Sequence, residues 1–184
     1  FMAVLDATVV NIALPKLQAV FGATLNDIQW VVTAYTLAQT VSVPLFGFLA
    51  DRFGTKWIYM ISLALFTIAS ALCGLSWNVN SMIFFRVVQG LGGGALLPIG
   101  IAQVYAVFPP EERGRSQSAI GIPVLLAPAL GPTLGGYIVQ YFDWRLIFYI
   151  NVPIGIVGIF MCAALLRRGR FNQQARLDIL GLTL

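Results

Sequence analysis

Histidine does not occur in this 184-residue chain, and charged side chains make up only 10% of it. The first absence removes the usual general base near neutral pH and the commonest metal ligand. The second falls far below the roughly 25% charge of an ordinary soluble domain. Cysteine is scarce as well. Cys73 and Cys162 sit near opposite ends of different apolar runs, separated by most of a hydrocarbon core about 30 Å thick, so no disulfide or metal pair is expected. Without a Ser/His, Cys/His or metal constellation there is nothing from which to assemble an enzyme active site, and the reading is that the protein is not an enzyme.

What remains is 59% hydrophobic and is arranged in long charge-free runs, at residues 28–50, 57–85, 87–110, 116–142 and 146–166. An apolar helix needs about 20 residues to cross a bilayer, so each run is long enough to span. Backbone amides in lipid must be satisfied within the chain, by helices or by a closed barrel. Barrel strands would alternate polar and apolar side chains, and these runs do not. The sequence therefore predicts an all-α membrane protein with six helices over 1–21, 28–50, 56–75, 81–108, 113–141 and 144–166, joined by short turns.

The net charge of +4 is explained by topology. Read as successive crossings, Arg52, Lys56, Arg113, Arg115, Arg167, Arg168, Arg170 and Arg176 all fall on one side, which the positive-inside rule makes cytoplasmic. Asp27, Asp143 and Arg145 fall on the other, with Trp30, Trp77, Tyr141 and Trp144 at interface depth. The protein is thus expected to be a multi-pass cell (inner) membrane protein, with the lipid bilayer and not nucleic acid as the partner of its basic loops. Before Gly22 the first run reads as too short for a complete crossing, so the first helix is expected to be truncated and the chain to be a fragment. The expected organisation is a bundle over 1–166, a basic cytoplasmic loop over 167–176 and the start of a further membrane helix over 177–184.

Two junctions echo one another. Leu45-Phe46-Gly47 leads to Asp51, Arg52 and an aromatic restart at Trp57, while Leu134-Gly135-Gly136 leads to Asp143, Arg145 and an aromatic restart at Phe148. They fall on opposite faces, as two inverted three-helix repeats would require. The run GLGGGA at 90–95 matches a dinucleotide fingerprint, but the stretch before it reads as a helix continuing through the glycines, so small residues for close helix packing are the better account.

Six segments carry a resemblance. The hinge GFLADRFGTKW at 47–57, the run RVVQGLGGG at 86–94 and APALGPTLGG at 127–136 resemble signature motifs of the major facilitator superfamily, in that family's order and on the corresponding helices. LDATVVNIALP at 5–15, QWVVTAYTLA at 29–38 and WRLIFYINVPIG at 144–155 look like the fourteen-span drug/proton antiporters of the EmrB/QacA type. Thr55 departs from the basic residue often found beside Lys56, and Met82 from a usual leucine. The resemblance implies the amino-terminal six-helix bundle of the major facilitator fold, with inverted 3+3 repeats. It also implies a cytoplasmic gate of Gly47, Asp51, Arg52, Gly54 and Lys56, and a hinge at Gly131, Pro132, Gly135 and Gly136.

Asp6 is the sharpest chemical feature, because a carboxylate at the centre of a membrane helix costs about 2.5 to 3.5 kcal/mol even on the lenient insertion scale. It is either a protonation site in a cavity or a structural carboxylate bonded to neighbouring helices. Arg86 lies about 8 Å below the outer surface. It either snorkels to the interface or faces the cavity and tunes the proton site, with Asn11 as well as Asp6 in its neighbourhood. Ala127, Gly131 and Gly135 form one smooth stripe in a helix bent by Pro123, Pro128 and Pro132. Thr8, Asn11, Tyr35, Gln39, Gln89 and Gln103 are the polar or aromatic groups available to line a substrate cavity.

The implied activity is proton-coupled export of hydrophobic or cationic drugs by alternating access, with no cofactor beyond the proton gradient. Its partners would be a small-molecule substrate, protons, the missing C-terminal half of the chain and a periplasmic adaptor protein. A major facilitator transporter for one specific metabolite is the alternative within transport. A non-transporting membrane sensor or assembly factor is the alternative from another class.

Overall fold

In the computed structural model, residues 1–109 and 112–166 are described, apart from the side chains of 106, 107, 115, 116, 119 and 120. The basic loop and further helix expected over 167–184 lie outside the described residues. Seven helical segments make six candidate spans: α1 (Met2–Phe21), α2 (Leu25–Phe53), α3 (Thr55–Gly74), α4 (Val79–Val107), α5 (Arg113–Tyr141), and α6 (Leu146–Tyr149) running into α7 (Asn151–Leu165). No strand occurs among the described residues.

Local chemistry sets the boundaries. Gly22 adopts φ 58 and its N–H closes on the Gln18 carbonyl, a left-handed cap that ends α1. Thr24 then starts α2, its hydroxyl oxygen accepting from the Asp27 amide at 3.2 Å. This cap moves the start of α2 to Leu25, ahead of the position 28 expected from charge alone. Between α2 and α3 a single residue turns the chain, Gly54 at φ 95, a backbone conformation that side chains disfavour. Asn78 and Ser81 form a reciprocal capping box at the start of α4.

Two expectations are corrected. With 20 residues, or about 30 Å at 1.5 Å per residue, α1 is itself long enough to cross the membrane. Trp144 is only 3% exposed, stacked edge-on against Phe21 and Phe148, and so is part of the bundle core and not an interfacial anchor. Trp30, Trp77 and Tyr141 are exposed at that same end of the bundle. The sixth span is interrupted at Ile150 because Pro153 lacks the N–H that the Tyr149 carbonyl would accept.

Helix α1 packs on α5, α2 on α4, and α3 on both α4 and α7. Exchanging the first three spans for the last three maps the α1–α5 pair onto α4–α2 and returns α3–α7 to itself, which is the pattern of a 3+3 repeat. The glycines of α4 allow the closest approaches. A methyl at Gly90 or Gly94 would strike the α2 backbone at Tyr35 and Gln39, and one at Gly92 would strike α3 at Phe66. GLGGGA is therefore helix-packing surface and not a phosphate loop. Large apolar side chains such as Leu125, Phe160 and Leu165 point outward, as in a protein whose solvent is lipid.

Candidate functional site

Of the polar residues that the bundle buries, Arg86, Gln89 and Asn151 converge on Asp6. Burying an isolated carboxylate is costly, and here both of its oxygens accept hydrogen bonds. Arg86 of α4 donates from Nη1 to Asp6 Oδ2 at 2.5 Å, both side chains being fully buried. Gln89, one turn along α4, donates from Nε2 to Asp6 Oδ1 at 3.0 Å and accepts from Arg86 Nη1 at 2.8 Å through Oε1. Asn151, the first residue of α7, donates from Nδ2 to the same Oδ1 at 2.8 Å.

Arg86 is held on its other sides too. Its Nε donates to the Val31 carbonyl of α2 at 3.1 Å, and the Tyr35 ring centroid lies 3.9 Å from its guanidinium carbon. Arg86 does not snorkel to the interface: its side chain is fully buried against Asp6 and does not turn to Asn11. Asn11 is exposed, and its side chain donates to the Ala7 carbonyl of its own helix at 2.8 Å. The arginine reaches Asp6 because its long side chain spans the difference in depth between the two backbones.

The other expected cavity residues divide. Tyr35 and Gln89 are buried inside the network and not on an open wall. Thr8 is half-buried against Gly131, and the Gln39 backbone runs beside Gly90 and Gly94. Gln103 does line a cavity, of about 530 Å³, bounded by Tyr59, Leu96 and Val104 among others.

Residues of the expected gate and hinge are also separated. Asp51 and Arg52 are exposed at the turn. Lys56 reaches away from them to the end of the sixth span, where Nζ donates to the carbonyls of Ala163 at 2.8 Å and Leu166 at 2.7 Å. It supplies a cation where helix carbonyls are unpaired. Gly47 and Gly136 have open space where a Cβ would stand, and Pro132 is exposed. Gly131 and Gly135 instead meet α1 at Thr8 and Val9, within three residues of Asp6.

Three participants went unrecognised in the sequence. Asn151 was visible as a lone polar residue in the run IFYINVPIG, a signal of the kind that drew notice to Asp6. Ser70 links Asn151 to the Phe148 carbonyl, accepting from Asn151 Nδ2 at 3.0 Å and donating at 2.9 Å. Cys73 donates from Sγ to Gln89 Oε1 at 3.5 Å. Neither Ser70 nor Cys73 stands out in an apolar helix, because small side chains there ordinarily bond to their own backbone. Among the described residues no group of acidic, cysteine or histidine side chains could hold a metal ion.

A bundle of six apolar helices with an ion pair sealed in its core defines a polytopic membrane protein with a charged centre. The chain belongs to the Major Facilitator Superfamily, whose family model matches residues 1–178. It is 40% identical over its whole length to the multidrug export protein EmrB of Escherichia coli (strain K12) and covers 36% of that protein. It is also 40% identical over its whole length to the multidrug resistance protein B homolog of Mycobacterium tuberculosis (strain ATCC 25618 / H37Rv), covering 34% of it. With the MFS-type transporter YhcA of Bacillus subtilis (strain 168), identity is 37% over 98% of the chain and 34% of the relative. The chain thus spans about a third of the length of these relatives.

Solved structures agree on the fold. The human organic anion transporter MFSD10 superposes with a TM-score of 0.70 at 15% identity, over 95% of this chain and 47% of that one. A bacterial homolog of the human lysosomal transporter Spinster gives 0.69 at 19%, over 97% and 43%. The chain is an integral membrane protein of a family of transporters, not of enzymes, and its relatives include named multidrug exporters.

Proposed function

We propose that this bundle is one half of a proton-coupled exporter of hydrophobic or cationic compounds, which works by rocking against a second bundle of the same protein. The end that carries Arg52, Lys56 and Arg113 faces the cytoplasm of a cell whose inner membrane holds the protein, in keeping with the positive-inside rule. Asp6 carries the exchanged proton, and Arg86, Gln89 and Asn151 set its environment.

The observation that carries this reading is the buried Asp6–Arg86 pair with its amide partners. Replacing a buried pair by apolar residues is often neutral or stabilising, so such a pair is poorly accounted for by stability alone. A carboxylate inside a membrane bundle is by default a functional group. Its position supports the reading as well. The smooth contact of Gly131 and Gly135 with α1 lies next to it, so a change of charge at Asp6 acts on the helix pair whose packing would shift as the bundle rocks.

The test is Asp6→Asn in the full-length protein reconstituted in vesicles. The amide keeps the volume and loses the titratable group. Proton-driven movement of a lipophilic cationic dye should vanish while the protein inserts and folds; undiminished proton-driven movement would sink the assignment.

A further inference from the structure

Asp6 Oδ1 faces two amides, and only one of them is free to turn. In the charged state both donate to it, Gln89 Nε2 at 3.0 Å and Asn151 Nδ2 at 2.8 Å. The hydroxyl oxygen of a carboxylic acid is a poorer acceptor than its carbonyl oxygen, so the charged Arg86 Nη1–H, the strongest donor present, keeps Oδ2 as the carbonyl and leaves the proton to Oδ1. There an O–H now confronts two N–H donors. One amide must rotate to present its oxygen. Gln89 is locked, because its Oε1 accepts from Arg86 at 2.8 Å, and rotation would set an NH₂ against the guanidinium. Asn151 can offer an acceptor, since its Oδ1 is buried and has no hydrogen-bond partner among the described residues, and turning costs it only the Nδ2 bond to Ser70.

We infer that Asn151 is a positioning residue whose side-chain amide turns over when Asp6 is protonated and passes that change to the weak point of the sixth span. Before the turn, Asn151 Nδ2 donates to Ser70 Oγ, which donates to the Phe148 carbonyl. After it, Asn151 Oδ1 accepts from the acid O–H and also faces the Ser70 hydroxyl, which is drawn from Phe148 toward the amide oxygen. Phe148 lies in α6, two residues ahead of the interruption at Ile150, where Pro153 has already removed one helix bond. The step adds one proton to Asp6 and breaks no covalent bond. The other titratable side chains around Asp6 are Arg86 of α4, which pairs with it, Tyr35 of α2, whose ring faces Arg86, and Cys73 of α3, which donates to Gln89. Helix α5 meets α1 here with Gly131 and Gly135.

This inference rests on Asp6 as the proton carrier, and the experiment separates the two. The full-length protein in vesicles is followed by pH-difference infrared spectroscopy and by ethidium movement, both proton-driven and as exchange without a gradient. Acidification should produce a protonated-carboxyl band that Asp6→Asn abolishes, together with a shifted side-chain amide band that Asn151→Ala abolishes. Asn151→Ala should keep the carboxyl band and ethidium exchange, while proton-driven movement falls about tenfold, the effect of losing one charge-assisted hydrogen bond. Ser70→Ala should keep both bands and show the same split between driven movement and exchange. Absence of the carboxyl band, or driven movement surviving in Asp6→Asn, removes the proton-carrier reading itself. If that reading stands but Asn151→Ala leaves the amide band and the driven movement intact, the relay is wrong. Loss of exchange together with driven movement makes Asn151 scaffold and also overturns it, and normal coupling in Ser70→Ala removes the link to Phe148.

Discussion

The ring of Tyr35 on α2 and the guanidinium of Arg86 on α4 lie 3.9 Å apart, measured from ring centroid to central carbon. This contact covers the face of a cation that the membrane interior would otherwise leave bare. It also buries the Tyr35 hydroxyl, which has no hydrogen-bond partner among the described residues. The ring serves the network and the hydroxyl does not.

Tyr35→Phe should therefore raise thermal stability in detergent by up to about 1 kcal/mol, since it removes an unpartnered polar group and keeps the aromatic face. Tyr35→Leu should cost about 1 to 2 kcal/mol by withdrawing the face from a desolvated cation. Equal melting behaviour of the two variants would show that the ring contributes nothing beyond volume.

The ion pair itself predicts a non-additive cycle. Arg86→Met leaves a buried carboxylate without its counter-charge, and should cost about 3 to 5 kcal/mol. Combining it with Asp6→Asn should restore most of that stability in the same thermal assay, without restoring proton-driven transport. A double variant as unstable as the sum of the singles would mean that the two charges do not depend on each other.

At Gly131 a Cβ would stand 2.7 Å from Thr8 Cβ and closer still to Thr8 Oγ1, inside any real contact distance. Gly131→Ala should cost about 1 to 3 kcal/mol through overpacking, comparable to the few kcal/mol that separate two conformers. Transport should fail while ligand binding survives. Thr8→Gly in the same chain should restore activity, because Thr8 supplies the clashing atoms. Rescue by a distant substitution and not by Thr8→Gly would place the effect elsewhere.

Lys56 caps the carboxyl end of α7 through Ala163 and Leu166. Lys56→Met should speed amide hydrogen exchange over the last turn of α7 about two- to fivefold, the equivalent of a helix-end charge interaction of about 0.3 to 1 kcal/mol. Arg52→Met, removing the neighbouring exposed charge, should leave that exchange unchanged. If the two variants behave alike, the cap is not what holds the end of the span.

Orientation is tested by labelling with an impermeant thiol reagent in a chain carrying Cys162→Ser. Trp77→Cys, at a position 73% exposed in the parent chain, should react from outside the cell, and Gly114→Cys only after the cytoplasmic side is opened. The reverse pattern would invert the membrane topology inferred from the arginine and lysine distribution.

Composition and spacing alone determined the class of this protein. A run of apolar residues longer than the bilayer is thick has one stable answer, a spanning helix, because lipid offers backbone amides no partner. That answer is local, so the six spans and the hinge around Gly54 could be read from neighbouring residues, while the Thr24 cap, equally local, set the start of α2 three residues ahead of the reading from charge. The stripe of Ala127, Gly131 and Gly135 is equally local, since a helix puts every fourth residue on one face. The partners of Asp6 were not legible in this way. Arg86, Gln89 and Asn151 stand 80, 83 and 145 residues away along the chain, and whether they meet depends on helix rotation and depth. Lys56, grouped with Asp51 and Arg52 by the family resemblance, turns instead to a carbonyl 110 residues on. Only tertiary packing decides such pairings, because a buried charge or amide takes whatever complementary group the close approach of helices brings within about 3 Å.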